Sequence, residues 1–449
     1  MSRLRWTLYA VAAAAGLLGA SAGAGASGFA LREFSASGQG NAFAGATAAA
    51  EDISTMAFNP AGLTRHPGES FAGAATLIVP RAEFMPSGAT TILGGAIGGG
   101  NGGGDAAPDT VVPALFYARQ LSSDWFAGAS VTAPYGLVTD YDHGWVGRYH
   151  ALKSDIRSIN FNPVVAYKVT PHLSVAGGVQ IAYTRGIMSN AIDFGTLDAV
   201  SFAGAFGGTP AGSDGTSTAE GDDLALGFNL GLLMEVRPGT RIGLAYRSKL
   251  HNRLDGATSF NNGTVGEAIA AATGAFVQTG MQTEINLPET ASVGIYHEVT
   301  DRLAIMAEAA WTAWSRLREL RLTFDNAAQS DNVITSNWED TWFLAVGATW
   351  RANDRWVLRT GIAYDQSPVQ DALRTPRVPD EDRIWFSLGA SYHISPGASL
   401  DIGYTRLFLD DAAIGLSATA DPNNAFRGNL SGRFDLSTDI LAVQYRMQF

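Results

Sequence analysis

Period-two alternation, repeated in segment after segment, constrains this chain more than any other feature. In Leu224–Met234 the residues Leu224, Leu226, Phe228, Leu230, Leu232 and Met234 share one face. Ala225, Gly227, Asn229, Gly231, Leu233 and Glu235 take the other. Ile384, Phe386, Leu388, Ala390, Tyr392 and Ile394 alternate in the same way with Arg383, Ser387, Gly389, Ser391 and His393. Trp342, Leu344, Val346, Ala348 and Trp350 repeat the pattern, as do Leu303, Ile305, Ala307, Ala309 and Trp311 around an opposite-face Glu308. A period of two is what a sheet needs when its faces meet different solvents. Here the bulky apolar residues hold one face, and the other is small or polar. A sheet in a soluble sandwich would have to bury such an apolar face in a closed core.

The connections decide between these solvents. Short turns fall at Leu121–Asp124, Val169–His172, Arg237–Thr240, Val299–Arg302, Arg351–Asp354 and Ile394–Gly397. Between them lie longer, polar or Gly-rich loops near 87–108, 139–153, 189–223, 255–282, 315–337, 365–382 and 410–432. The alternation of short and long joins fourteen strands, the pattern of an outer-membrane barrel. We therefore expect an all-β fold, a 14-stranded antiparallel transmembrane β-barrel over residues 68–449. Trp125, Trp350 and Trp356 beside short turns, with Trp311, Trp314, Trp338 and Trp342 near long loops, suggest two aromatic girdles. The last strand alternates Leu441, Val443, Tyr445, Met447 and Phe449 with Gln444, Arg446 and Gln448. It resembles the C-terminal strand of outer-membrane proteins, whose terminal Phe is read by the barrel assembly machinery.

Composition agrees. Of 449 residues only 16% are charged, 52 are Gly and none is Cys. Disulfides, thiol catalysis and Cys-based zinc sites are excluded together. The net charge of −12 leaves no electrostatic footprint for nucleic acid. Residues 1–26 read as an export signal. Arg3 and Arg5 precede an uncharged apolar stretch, Trp6–Leu18, and Ala24-Gly25-Ala26 supplies a cleavage site before Ser27. No later segment is apolar enough for a helical span, so membrane insertion falls to strands.

Ser27–Pro67 does not alternate. Gly38–Ala50 is rich in small residues, consistent with short helices, and Asn59-Pro60 stops them. So short a segment, with little hydrophobic bulk, cannot fold alone. The barrel lumen is the cavity nearest to it, and a barrel this wide leaves a channel unless plugged.

The stretch "SGFALREFSASGQGNAFAGATAAAEDISTMAFNPAGLT" at 27–64 resembles the mature N-terminus of the FadL family, outer-membrane transporters of long-chain fatty acids and other hydrophobic compounds. "APYGL" at 133–137 and "WVGRYHALKSDI" at 145–156 are similar to the family's third strand and following loop. The resemblance implies an N-terminal helical hatch (27–67) plugging the lumen, and loops that collect ligand for a pocket beside the hatch N-terminus. It also implies a sideways exit at a kink in the third strand, and a monomer. On this reading Phe29 and Leu31 line the pocket, and Ala133, Pro134 and Gly136 mark the kink. Asn59, Pro60 and Ala61 face that kink as part of the gate. Leu197, Val200, Phe202 and Phe206 are candidates for capture in a loop, with Tyr135, Trp145 and Arg148 on the opposing wall. For a carboxylate head group the strand arginines Arg185, Arg247 and Arg359 are candidates. Thr264–Gln278 reads as a loop helix that caps the structure.

The expected partners are a hydrophobic small molecule, the lipid and lipopolysaccharide of the outer membrane, and the assembly machinery through Phe449. No cofactor or metal is expected. Neither G-x-S-x-G nor H-E-x-x-H occurs, and the G-x-G-x-x-G match at Gly98–Gly103 sits in a glycine tract without strand–helix context. One alternative is an uptake channel for alkanes or aromatic hydrocarbons with the same mechanism; another is an open diffusion porin, although that has no use for an N-terminal plug.

Overall fold

A computed structural model describes residues 27–449, so the export signal at 1–26 lies outside the described residues. One sheet of twenty strands closes on itself. Its first half runs β1 (Glu69–Thr90), β2 (Thr110–Gln120), β3 (Trp125–Thr132), β4 (Gly136–Asp140), β5 (Lys153–Thr170), β6 (Leu173–Asp193), β7 (Asp214–Arg237), β8 (Thr240–Arg247), β9 (Leu250–Asn261) and β10 (Thr279–Leu287). It continues with β11 (Thr290–Glu298), β12 (Leu303–Thr312), β13 (Glu319–Phe324), β14 (Asn332–Thr335), β15 (Thr341–Arg351) and β16 (Trp356–Asp365). Last come β17 (Arg383–Ser395), β18 (Ala398–Leu409), β19 (Ala412–Leu416) and β20 (Asn429–Gln448).

The wall has fourteen antiparallel strands. β3/β4, β8/β9, β10/β11 and β18/β19 are each one wall strand broken in two, and β13–β14 is a hairpin within a loop. β1 pairs with β20 from Ser70↔Gln448 to Thr90↔Asn429, and the Phe449 amide donates to the Glu69 carbonyl at 2.8 Å. Closure thus pairs the first strand with the last, as a hydrocarbon solvent demands.

The alternating residues fall as expected. Leu224, Leu226, Phe228 and Leu230 are exposed on the outer face, as are Trp342, Leu344 and Val346. Glu308 and Asn229 are buried on the inner face. The loops are shorter than the sequence suggests. β6 runs on to Asp193 and β7 begins at Asp214, so both strands rise past the turning points set near 189 and 223. Polar residues on these extensions hid them, because strands beyond the hydrocarbon zone no longer carry apolar outer faces. The expected loop helix is present as Gly263–Thr273, ended by Gly274 in the left-handed conformation.

Two of the expected girdle residues lie elsewhere. Trp125, Trp350, Trp356 and Trp342 are exposed, but Trp314 and Trp338 are 1% and 7% exposed. β12 ends at Thr312 and the chain then turns inward. These two indoles fill the interior instead of meeting lipid.

Residues 27–67 lie inside the barrel. They form a short helix α1 (Ala36–Gly40) capped by Ser35, and 3-10 turns at Ile53–Ala57 and Pro60–Arg65 capped by Asp52 and Asn59. Contact is close because the wall is glycine-lined where the plug touches it. Gly243↔Gly294, Gly347↔Gly361 and Gly389↔Gly403 are cross-strand pairs. A Cβ at Gly243, Gly361 or Gly389 would run into the backbone of Thr47, Asn41 or Gly40. Small side chains here let two backbones touch.

Candidate functional site

The third wall strand is broken in mid-course. β3 pairs with β2 as far as Leu115↔Val131, stops at Thr132, and resumes as β4 at Gly136. Extending that register would set Pro113 opposite Ala133 and Val112 opposite Pro134. A proline on each edge lacks the amide that a ladder needs, so pairing fails from both sides. β4 keeps only its other neighbour, pairing with β5 from Gly136↔Arg157 to Asp140↔Lys153. Gly136–Thr139 are all buried without alternation, so this stretch has left the outer face. Pro134 thus interrupts the strand rather than ending it at the loop.

The start of the hatch closes the break from inside. Leu31 donates its amide to the Pro134 carbonyl at 2.8 Å, and Gly136 donates to the Phe29 carbonyl at 2.9 Å. Ala30 and Tyr135 form the bridge between them. Ser158 Oγ holds the other side, accepting from the Tyr135 amide and donating to the Tyr135 carbonyl, each at 3.0 Å. Upstream, the Gly28 amide donates to Asp380 at 2.8 Å and the Ser27 amide to Asp365 at 3.3 Å.

Behind the break lies a cavity whose empty space, counted out to its open mouth, is about 640 Å³. Phe29, Leu137, Ile285, Leu317, Trp338 and Val369 give it apolar walls. The Phe29 ring packs 4.8 Å from Trp314, 5.6 Å from Trp338 and 6.1 Å from Tyr135. Ser154, Ser336, Thr375 and Arg377 add polar groups. Arg377 is 6% exposed and donates to the carbonyls of Lys153 at 3.0 Å and Ser189 at 3.2 Å, but its Nε has no partner. Burial pushes its pKa down to about 9. No carboxylate among the described residues lies within ion-pair distance of it.

The residues singled out in the sequence divide into those at this site and those elsewhere. Phe29, Leu31, Tyr135, Ala133, Pro134 and Gly136 meet at the break. Trp145 is fully buried in the loop above, stacked on Tyr141 with ring centroids 4.2 Å apart, its indole donating to the Ala151 carbonyl at 2.8 Å. Arg148 binds Asp214 at 2.8 Å and the Gly98 carbonyl at 2.9 Å, so it ties loops together. Phe202 and Phe206 pack edge-to-face, 5.3 Å apart, on the outer loop that carries α2 (Phe194–Ser201).

None of the three arginines expected to meet a head group lies at the cavity. Arg185 is exposed on the outside of the barrel and pairs with Glu220. Arg247 donates to Gln180 and to the Ala57 carbonyl, and Arg359 binds Glu51 at 2.8 Å and Ser391 at 2.5 Å. Inward arginines at plug height are drawn to the carbonyls and carboxylates of the plug. The Asn59-Pro60-Ala61 turn is held to the wall through the Asn59 side chain. Asn59 Nδ2 donates to the Thr47 carbonyl at 2.7 Å and to Leu232 of β7 at 2.9 Å, while its Oδ1 accepts from the Ala61 amide at 3.0 Å. It fastens the hatch to β7, and the turn that follows, Pro60–Arg65, also packs on β3, where Leu63 lies against Gly128.

Sequence reading missed Trp314, Trp338 and Arg377. The signal for the tryptophans was their position outside the period-two runs. For Arg377 it was Pro376 and Pro379, which stiffen a loop between two barrel strands.

A closed barrel with an internal plug, and an apolar cavity behind a break in its wall, defines an outer-membrane transporter of hydrophobic compounds. The sequence matches, over residues 17–449, the family described as outer membrane protein transport protein (OMPP1/FadL/TodX). The chain belongs to this family. The long-chain fatty acid transport protein of Escherichia coli K12 is 32% identical over 406 residues, 85% of this chain and 87% of that protein. Outer membrane protein P1 of Haemophilus influenzae Rd is 29% identical, covering 93% of this chain and 96% of that one. The crystal structure of a Pseudomonas aeruginosa FadL homologue superposes with a TM-score of 0.87 at 26% identity, covering 94% of this chain and all of that one. The Pseudomonas putida toluene transporter TodX shares the fold at 16% identity and a TM-score of 0.67, covering 94% of this chain and all of that chain.

Proposed function

We propose that this protein carries long-chain fatty acids across the outer membrane. Ligand enters the cavity from the loops and leaves sideways through the break at 133–136. One observation carries the reading: Phe29–Leu31 both close the break and supply a wall of the cavity. A guest in the cavity competes for contacts that keep the opening shut. An apolar tail gains about 0.8 kcal/mol per buried CH₂, enough to displace a few aromatic contacts. A fatty acid is favoured over a neutral hydrocarbon because the cavity presents Arg377 with no protein carboxylate beside it.

The test is uptake of radiolabelled oleate by cells whose own transporter is deleted. Removing Phe29–Leu31, or replacing Ala133 and Pro134 with Val and Thr to restore a straight strand, should each lower uptake at least tenfold, with normal levels of barrel in the membrane. Unchanged uptake from both variants rules the pathway out. A large steady aqueous conductance in planar bilayers would instead establish an open porin.

A further inference from the structure

At the short-turn end of the barrel a separate concavity opens, with empty space of about 720 Å³ counted out to its mouth. Short turns are the periplasmic side of an outer-membrane barrel. Lys168, Glu235 and Arg241 line this vestibule from the wall, and Thr64 and Arg65 line it from the last turn of the hatch. It shares no residue with the cavity behind the break.

Its charges do not balance. Arg65, Lys168 and Arg241 stand against one acid, Glu235, in a chain whose net charge is −12. Glu235 is already spent, because it binds Arg65 at 3.2 Å and accepts from the Gly239 amide at 3.3 Å. No carboxylate among the described residues lies within ion-pair distance of Lys168 or Arg241. Arg241 is only 6% exposed. Its Nε and Nη2 donate to the Ala48 and Ala49 carbonyls of the hatch at 3.1 and 2.6 Å, which leaves Nη1 without a protein acceptor. The guanidinium also lies over the Tyr296 ring, 3.9 Å from its centroid, so it is fixed in place. The Lys168 ammonium sits 5.5 Å from the centroid of the Phe126 ring. A ring face holds an ammonium without neutralising it.

A buried guanidinium and an ammonium at one cavity cost free energy unless an anion compensates them. Two surplus positive charges call for a dianion, and a monocarboxylate would leave one over. A phosphate monoester carries about 1.5–2 negative charges at neutral pH, with three strong acceptor oxygens.

We propose that this periplasmic vestibule binds a phosphate dianion, either free or as the terminal group of a monoester. Arg241 Nη1 and Lys168 hold it from the wall, and Arg65 reaches it from the hatch. The anion thereby joins the last turn of the hatch to β5 and β8 and screens Arg65 from Arg241. The site stands or falls independently of the fatty-acid reading.

Equilibrium dialysis of the purified full chain in a non-ionic detergent, with radiolabelled inorganic phosphate as the probe, tests this. One phosphate should bind per barrel, and potassium acetate at the same ionic strength should not displace it. Lys168→Gln should raise the half-saturating phosphate concentration about tenfold, the loss expected for one charge-assisted contact. Lys168→Arg should keep most of the affinity. Bound phosphate should also slow hydrogen exchange at the Gly62 and His66 amides, which close the last hatch turn, by roughly threefold or more. Competition by glycerol phosphate at lower concentration than inorganic phosphate assigns the site to a monoester, and competition only at higher concentration assigns it to the free ion. Absence of binding, displacement by acetate as effective as by phosphate, or unchanged affinity in Lys168→Gln overturns the site. The comparison of phosphate with acetate uses the unaltered protein, so it decides the matter even where Lys168→Gln fails to assemble.

Discussion

The two ends of the hatch are held by different chemistry. From Ser35 onward the plug is clamped by buried polar contacts to the wall. Asp52 accepts from Ser37 Oγ at 2.6 Å, the Ser54 amide at 2.8 Å and Gln444 Nε2 at 3.1 Å, with Arg446 at 3.5 Å. Glu51 binds Arg359 and Thr349, and Arg241 donates to the carbonyls of Ala48 and Ala49. Residues 29–31 by contrast rest on two strand-like hydrogen bonds and a nest of aromatic rings, with polar anchors only at the two residues before them, where the Gly28 and Ser27 amides meet Asp380 and Asp365. A hydrophobic guest cannot compete for a buried ion pair, but it can replace one ring against another. On the proposed pathway, this difference would let the plug stay in place while one end of it yields to the ligand.

The strongest way to break this comparison is to attack the clamp. Gly361→Val places a side chain where the Asn41 backbone lies, whereas a Cβ at Gly415 would meet nothing within 4 Å. Overpacking of this kind costs about 1–3 kcal/mol and sometimes more, and here rigid backbone stands on both sides, so about 3 kcal/mol is expected. Gly361→Val should lower the temperature of the heat-modifiable shift on gels by several degrees, and Gly415→Val should leave it unchanged. Equal behaviour of the two would mean that the hatch body is no tighter than its end.

A smaller effect is expected at the gate. Ser158→Ala removes the hydroxyl that bonds both the amide and the carbonyl of Tyr135. The loss of these bonds, at about 1 kcal/mol each, should speed hydrogen exchange at the amides of Tyr135 and Gly136 roughly tenfold or more. Exchange at residues 38–48 should not change. If it does, gate and clamp open together and the division fails.

The barrel was legible because its cause is periodic. Every strand meets lipid on one side, so Leu224–Met234 reports its own face without help from any other segment. The plug was legible as something that breaks this period. The site was not, because it depends on where breaks occur in strands far apart in sequence. Pro113 and Pro134 are ordinary when taken alone, and become a gap only when the register brings them to neighbouring rungs of one ladder. Arg359 and Arg377 cannot be told apart by residue type. One meets Glu51 of the plug, and the other meets only carbonyls and neutral side chains, a difference made wholly by tertiary contacts.

The loop over the cavity provides the mildest test, through pH. His150 is buried, with Nε2 3.2 Å from the Gly428 carbonyl, in the loop between β4 and β5. Burial, helped by the charge of Arg427, pushes its pKa from 6.5 down to about 3. Once the loop opens, the imidazole returns to its ordinary value, so the open state binds the extra proton between these limits. The closed loop is therefore fully stable above about pH 6.5 and loses stability as the pH falls from there toward 3. At pH 5.5 the loss is on the order of 1 kcal/mol. Exchange at residues 141–152, corrected for its intrinsic pH dependence, should accelerate a few-fold between pH 7.5 and 5.5, and His150→Gln should flatten the response. The clamped plug at 38–48 should show no such change, since His150 lies in the loop above and makes no hydrogen bond to it. A matching acceleration there would tie the loop to the clamp and leave residues 29–31 as the follower of both.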